Sequence, residues 1–226
     1  MDKLNEIFNK YEGKSVDSLD RKCGRRNFIL YIIKTFSENM SKHDDKSNLM
    51  LINEFIDREF INKISIENNH CVIDYFDDYG VQNIIEFDII SDSLSSKFGD
   101  FFFNKELKKY QFTGECHGVT LKFLELYPDS GLNAVTSLCE NMNNILYFHS
   151  YLWDKSSDTI IDFARNLVMK KSNYDKLFVY DEINVLSDVE IDYSLLYLAL
   201  VKLYDKENKA NNVKRKNRLF GFRESC

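Results

Sequence analysis

The chain has 226 residues, 44% of them apolar and including 18 Phe and 13 Tyr. That is enough apolar material to bury a core and excludes global disorder. A formal net charge of −6 opposes a dedicated nucleic-acid binder, whose balance runs the other way.

The first 60 residues read as helical. Leu4, Ile7, Phe8 and Tyr11 recur at helical spacing, then Phe28, Ile29, Ile32, Ile33 and Phe36, then Leu51, Phe55, Ile56 and Phe60. The polar SKHDDKSN, residues 41–48, connects the second stripe to the third. The period then changes. CVIDYFD and VQNIIEFDII are β-rich runs on either side of DYG, which predicts a hairpin. SDSLSSKFGD, residues 91–100, is a loop. A domain boundary would fall there, between a helical region with a hairpin (1–100) and a second part (101–226); one continuous domain is the other reading.

Helix is expected again over 101–127, interrupted at Thr113 to Glu115. From Cys116 onward Val119, Phe123, Leu124 and Leu126 line one face, and YPDSG ends it with Pro128 and Gly131. Three strand-like runs follow: NAVTSLCEN (133–141), ILYFHSYLWD (145–154) and DTIIDFAR (158–165). NMNN and KSS between them have hairpin length. A helix followed by hairpin-linked strands predicts an α+β fold with an antiparallel sheet packed on the helix. DYSLLYLALVKLYDKEN (192–208) reads as a last helix before a tail carrying Lys214, Arg215, Lys216 and Arg218. That basic cluster is either a solvated tail or a local contact with nucleic acid or an acidic partner.

No apolar run of about 18 residues and no N-terminal h-region is visible, so neither a membrane span nor a signal peptide is expected. Cys23, Cys71, Cys116, Cys139 and Cys226 are odd in number and form no CxxC pair, which opposes a disulfide framework or a zinc site and points to a reducing cytoplasm. Cys226 ends the sequence and leaves no room for a prenylation box. With no Walker or GxGxxG loop, no nucleotide, metal or other cofactor is expected.

The chemistry-bearing residues are Cys116 at a helix start, His149 in the second strand after it and Asp162 in the third. Strands joined by a tight turn lie side by side, so His149 and Asp162 can meet across the ladder. A helix N-terminus carries about half a positive charge, which favours thiolate over thiol. An imidazole held by a carboxylate would add to that, and free N–H groups of the first turn could hold an oxyanion. The plain alternatives are an inert buried cysteine and a core histidine. Asp162, inside an apolar run, needs a partner whatever its role: His149, a backbone cap or Arg165.

GECHGVTLKFL, ILYFHSYLWD and DTIIDFARN together resemble the transglutaminase-like branch of the papain-like superfamily, over roughly residues 110–168. The resemblance implies acyl transfer through a thioester on Cys116, with His149 as base and Asp162 orienting it. It also suggests Gln111, upstream of the cysteine, as an oxyanion donor. Many relatives carry Trp or a small residue after the cysteine; here it is His117. Neighbouring residues on a helix point about 100° apart, so His117 is read as a rim or substrate-facing group rather than a direct partner of Cys116. The expected substrate is a protein or peptide, with hydrolysis preferred over transfer to an amine because no amine-binding site is legible. A non-catalytic interaction module on the same fold is the competing reading.

Overall fold

Alternation builds the first part of the sheet. In β3, Gln82–Ile89, every second residue from Asn83 to Ile89 is buried, and in β2, His70–Phe76, the buried set is Cys71, Ile73 and Tyr75. Period-two burial is what a strand with one covered face requires. In this computed structural model residues 6, 9–15, 24–39, 45–90 and 116–180 are described. The chain divides into two units, and the one formed by Tyr11–Ile183 carries the whole sheet.

β1, Ile61–Glu67, pairs antiparallel with β2 across a two-residue turn at Asn68 and Asn69. Both adopt positive φ, 50° and 68°, a conformation asparagine tolerates better than most residues. β2 and β3 form the expected hairpin, closed at Gly80 with φ 78°. The second meander is β4 (Asn133–Glu140), β5 (Leu146–Asp154), β6 (Thr159–Asp162) and β7 (Leu167–Lys170). The seam is β3 with β7, antiparallel, Phe87 opposite Met169 and Ile89 opposite Leu167. The seven strands run in the order β1-β2-β3-β7-β6-β5-β4. The fold is α+β with a wholly antiparallel sheet.

Each face of the sheet has its own apolar cluster. Phe87, Tyr151, Ile160 and Met169 pack with Ile29, Ile32, Ile33 and Phe36 of α1, Gly24–Asn39. Phe55 of α2, Asp45–Ile56, joins the same cluster, as do Tyr174 and Leu177 of α4, Lys171–Phe178. Leu152, Ile161 and Val168, the alternate residues of their strands, pack instead against Val119 and Phe123 of α3, Cys116–Leu126. Each of these fully buried side chains contributes roughly 1.5–3 kcal/mol, so α3 is anchored by its second and third turns and its first turn is held in place.

Five elements differ from expectation. α2 starts at Asp45, inside the expected polar connector, and stops at Ile56 rather than Phe60. INKISIE forms β1, with an irregular register between Ile61 and Lys63 that spoils its alternation. LVMK forms β7, four residues long, and KSNYDKLF forms α4 with no side-chain cap at its start. β6 ends at Asp162, earlier than expected, because the chain turns there and the Arg165 backbone N–H donates to Asp162 Oδ1 at 3.0 Å. The expected boundary at 91–100, the helix over 101–115, Gln111, Cys23, the 192–208 helix, the basic tail (Lys214, Arg215, Lys216, Arg218) and Cys226 lie outside the described residues. Among the described residues no helix is long and apolar enough to cross a membrane.

Candidate active site

Cys116 is the first residue of α3 and is 6% exposed. Its carbonyl accepts a hydrogen bond from Thr120 Oγ1 at 2.8 Å. The thiol therefore stands where helix N–H groups have no intrahelical acceptor, with its backbone fixed by the packing of Val119 and Phe123.

His149 and Asp162 meet, though not as a directly opposed pair. The β5–β6 register sets Leu152 opposite Ile161 and Trp153 opposite Ile160. One step further, Asp162 stands level with Tyr151, so His149 is its diagonal neighbour, within reach of a long side chain. His149 Nε2 donates to Asp162 Oδ2 at 2.8 Å. Both are buried, at 4% and 0% exposure. With Nε2 engaged, Nδ1 is the ring nitrogen left for the sulfur.

Asp162 has all three partners that its place in the sequence allowed. Besides His149, Oδ2 accepts from Arg165 Nη1 at 2.7 Å and from Tyr174 Oη at 2.8 Å, while Oδ1 takes the Arg165 backbone N–H. Arg165 also donates to the hydroxyls of Tyr147 and Tyr174. Its guanidinium lies 4.3 Å from the Phe178 ring centroid. A buried charge is tolerated only when paired and hydrogen-bonded in this way.

The electrostatics follow from that geometry. Burial alone would raise the Cys116 thiol, but His149, by charge and hydrogen bonding, and His117 together pull it down to about 5. Burial and the Arg165 guanidinium both act to lower His149; the charges of Asp162 and Cys116 outweigh them, and the imidazole is raised above its ordinary value. Asp162, although buried, is held below the usual carboxylate range by His149 and Arg165. A lowered thiol beside a raised imidazole favours the thiolate–imidazolium pair over the neutral one, and the two titrate together.

His117 departs from expectation. It does not sit at a rim: it is buried, its Nδ1 lies 2.6 Å from Ser150 Oγ, and that oxygen lies 2.6 Å from Thr136 Oγ1. It also acts directly on the Cys116 sulfur. The helical offset between adjacent residues holds for regular turns, but Cys116 is the opening residue of α3, and β5 brings Ser150 up to take the ring. A serine inside the apolar run FHSYLW was the available signal for this contact. Tyr147 and Tyr174 had no comparable signal.

The other described thiols are unlike Cys116. Burial pushes Cys71 far above its ordinary value and Cys139 up to about 11. Among the described residues no group of three or more His, Cys, Asp or Glu could hold a metal ion. Beside Arg165 lies a cavity of about 220 Å³ whose walls include Leu30, Ile33, Leu167, Phe178 and Tyr147; neither Cys116 nor His149 lines it. No family model matches the chain, and no curated protein and no solved structure matches it either.

Proposed function

We propose that the chain is a cysteine-dependent acyl-transfer enzyme with a transglutaminase-like, papain-like core, acting on an amide of a protein or peptide. The observation that carries this reading is the thiol at a helix start, pulled down to about 5 by an imidazole that is itself bonded to a buried carboxylate. Cys116 Sγ, as thiolate, attacks the carbonyl carbon. The first-turn N–H groups of α3 face the developing oxyanion. The C–N bond then breaks as the His149 imidazolium gives its proton to the leaving amine, which leaves an acyl thioester on Cys116. His149, now neutral, takes a proton from water, hydroxide equivalent adds to the thioester, and the carboxylic acid departs as the thiolate re-forms. Asp162 holds the ring tautomer and stabilises the imidazolium throughout.

Hydrolysis is preferred over interception by an amine because no second, amine-binding site is legible. The odd number and wide spacing of the five cysteines suit a reducing compartment such as the cytoplasm. The competing reading, a non-catalytic interaction module, draws on the burial of Cys116. The rate of Cys116 alkylation by iodoacetamide against pH, read by peptide mass spectrometry, separates the two. The enzyme reading expects a plateau reached far below the ordinary thiol value of about 8.5, lost in His149→Ala, where labelling at pH 6 drops roughly a hundredfold. An ordinary thiol profile unaffected by that substitution, or no labelling, removes it.

A further inference from the structure

We propose that Arg165 is a positioning residue of this site: it clamps the carboxylate that orients His149 and thereby sets how tightly that imidazole holds its proton. The inference rests on the acyl-transfer reading above and concerns a residue that reading does not require.

The geometry is a clamp on every side. Arg165 reaches both oxygens of Asp162, one through Nη1 at 2.7 Å and one through its backbone N–H at 3.0 Å. Nη1 also donates to Tyr174 Oη, and Nη2 donates to Tyr147 Oη. The guanidinium plane is covered by Phe178 at 4.3 Å, with the Tyr174 and Tyr147 rings at 5.5 and 5.7 Å. A planar fork held by three aromatic side chains has one geometry available, so Asp162 Oδ2 cannot swing away from His149 Nε2 without breaking several bonds together.

A buried carboxylate with an imidazolium as sole counter-ion would hold that proton too strongly for it to pass to a leaving group. Arg165 shares the same carboxylate oxygen with His149, so it offsets part of the negative field at the ring. The charged and titratable groups packed around the pair are Cys116, with His117 beside it, from α3, Cys139 from β4, Tyr147 and Tyr151 from β5, Asp162 and Arg165 at the end of β6, and Tyr174 from α4. Arg165 is a cation bonded directly to Asp162, and it also acts on the Cys139 thiol.

The test is the alkylation profile of Cys116 from pH 4 to 11, with the His149 ring resonances followed by nitrogen NMR. Wild type should show two steps, a lower one as thiolate forms and an upper one as the imidazolium loses its proton. Arg165→Gln should move the upper step, and the His149 resonance, up by about one pH unit or more, with a smaller movement of the lower step. Arg165→Lys keeps the charge and should leave the upper step near the wild-type position. An upper step unmoved in Arg165→Gln overturns the proposal. So does movement of both steps toward the ordinary thiol value, which would mean a site merely loosened. If Arg165→Gln does not fold, Tyr147→Phe, which removes only the Nη2 acceptor, should raise the upper step by a smaller amount; no movement there overturns the proposal equally. A wild-type profile lacking the lower step sinks the acyl-transfer reading itself, an outcome distinct from wild-type steps that Arg165 does not influence.

Discussion

The molecule holds two groups of the same three residue types. In the first meander His70 Nδ1 lies 2.8 Å from Asp88 Oδ1, next to Cys71; in the second His149 Nε2 lies 2.8 Å from Asp162 Oδ2, near Cys116. The bond lengths are the same and the consequences differ. His70 and Asp88 have side chains 49% and 42% exposed, so water screens their attraction. Cys71 follows His70 directly in β2 and points to the opposite, buried face, where burial raises its thiol. In the second group the pair is buried and the cysteine arrives from a helix, so nothing forces the thiol away from the ring. A histidine–aspartate contact is therefore not a sign of function by itself. Burial, a counter-ion for the carboxylate and the direction from which the sulfur comes decide the outcome.

The widest separation between the two groups should appear in labelling of the native protein. At pH 6.5 Cys116 should react with iodoacetamide about a thousandfold faster than Cys71, because Cys71 is reached only on opening of the core. Comparable rates measured by peptide mass spectrometry would erase the contrast. The next largest effect should come from Asp162→Asn. It leaves Arg165 buried without its carboxylate and should cost about 3–5 kcal/mol in urea unfolding, while lowering the pH at which the His149 resonance titrates.

The same variant tests the pH dependence. A carboxyl held below its ordinary value contributes stability that is present above the unfolded value of about 3.9 and is lost as pH falls through the lower folded value. Wild type should therefore lose stability in acid along a limb that Asp162→Asn flattens. His149, raised in the folded state, contributes stability that is complete below about 6.5 and lost as pH rises through its folded value, a limb that His149→Gln should remove.

A smaller change is expected from Ser150→Ala. It removes the hydroxyl that His117 Nδ1 meets and should cost about 1–2 kcal/mol, with the lower step of the Cys116 profile rising by a fraction of a pH unit. The smallest should come from His70→Ala, which breaks an exposed pair and should change stability by less than about 1 kcal/mol with the Cys116 profile unchanged. If His70→Ala altered that profile, the two groups would be coupled and would not differ as described by burial and counter-ion alone.

What the sequence determined by itself is everything set by local periodicity and local chemistry. The alternation in VQNIIEFDII, the turn at DYG, the helix from Cys116 and the hairpin-length connections among β4, β5 and β6 are all found where they were expected. Cys116 stood out by its place at a helix start and Asp162 as a carboxylate inside an apolar run that needs a partner, and the contact of Asp162 with His149 is found as expected. Short elements were not legible: β7 and α4 are four and eight residues long, too short for a period to register, and β1 carries an irregular register.

Only the tertiary structure decided the β3–β7 seam, which joins residues 82–89 to 167–170, since nothing in either strand encodes its distant partner. It also decided that His117 turns inward to Ser150, and that Tyr147, Tyr174 and Phe178 gather around Arg165. The physical reason is common to all three. Periodicity tells which face of an element is covered, whereas the partner across that face is chosen by packing and charge between segments far apart in the chain, and those terms exist only once the chain has folded.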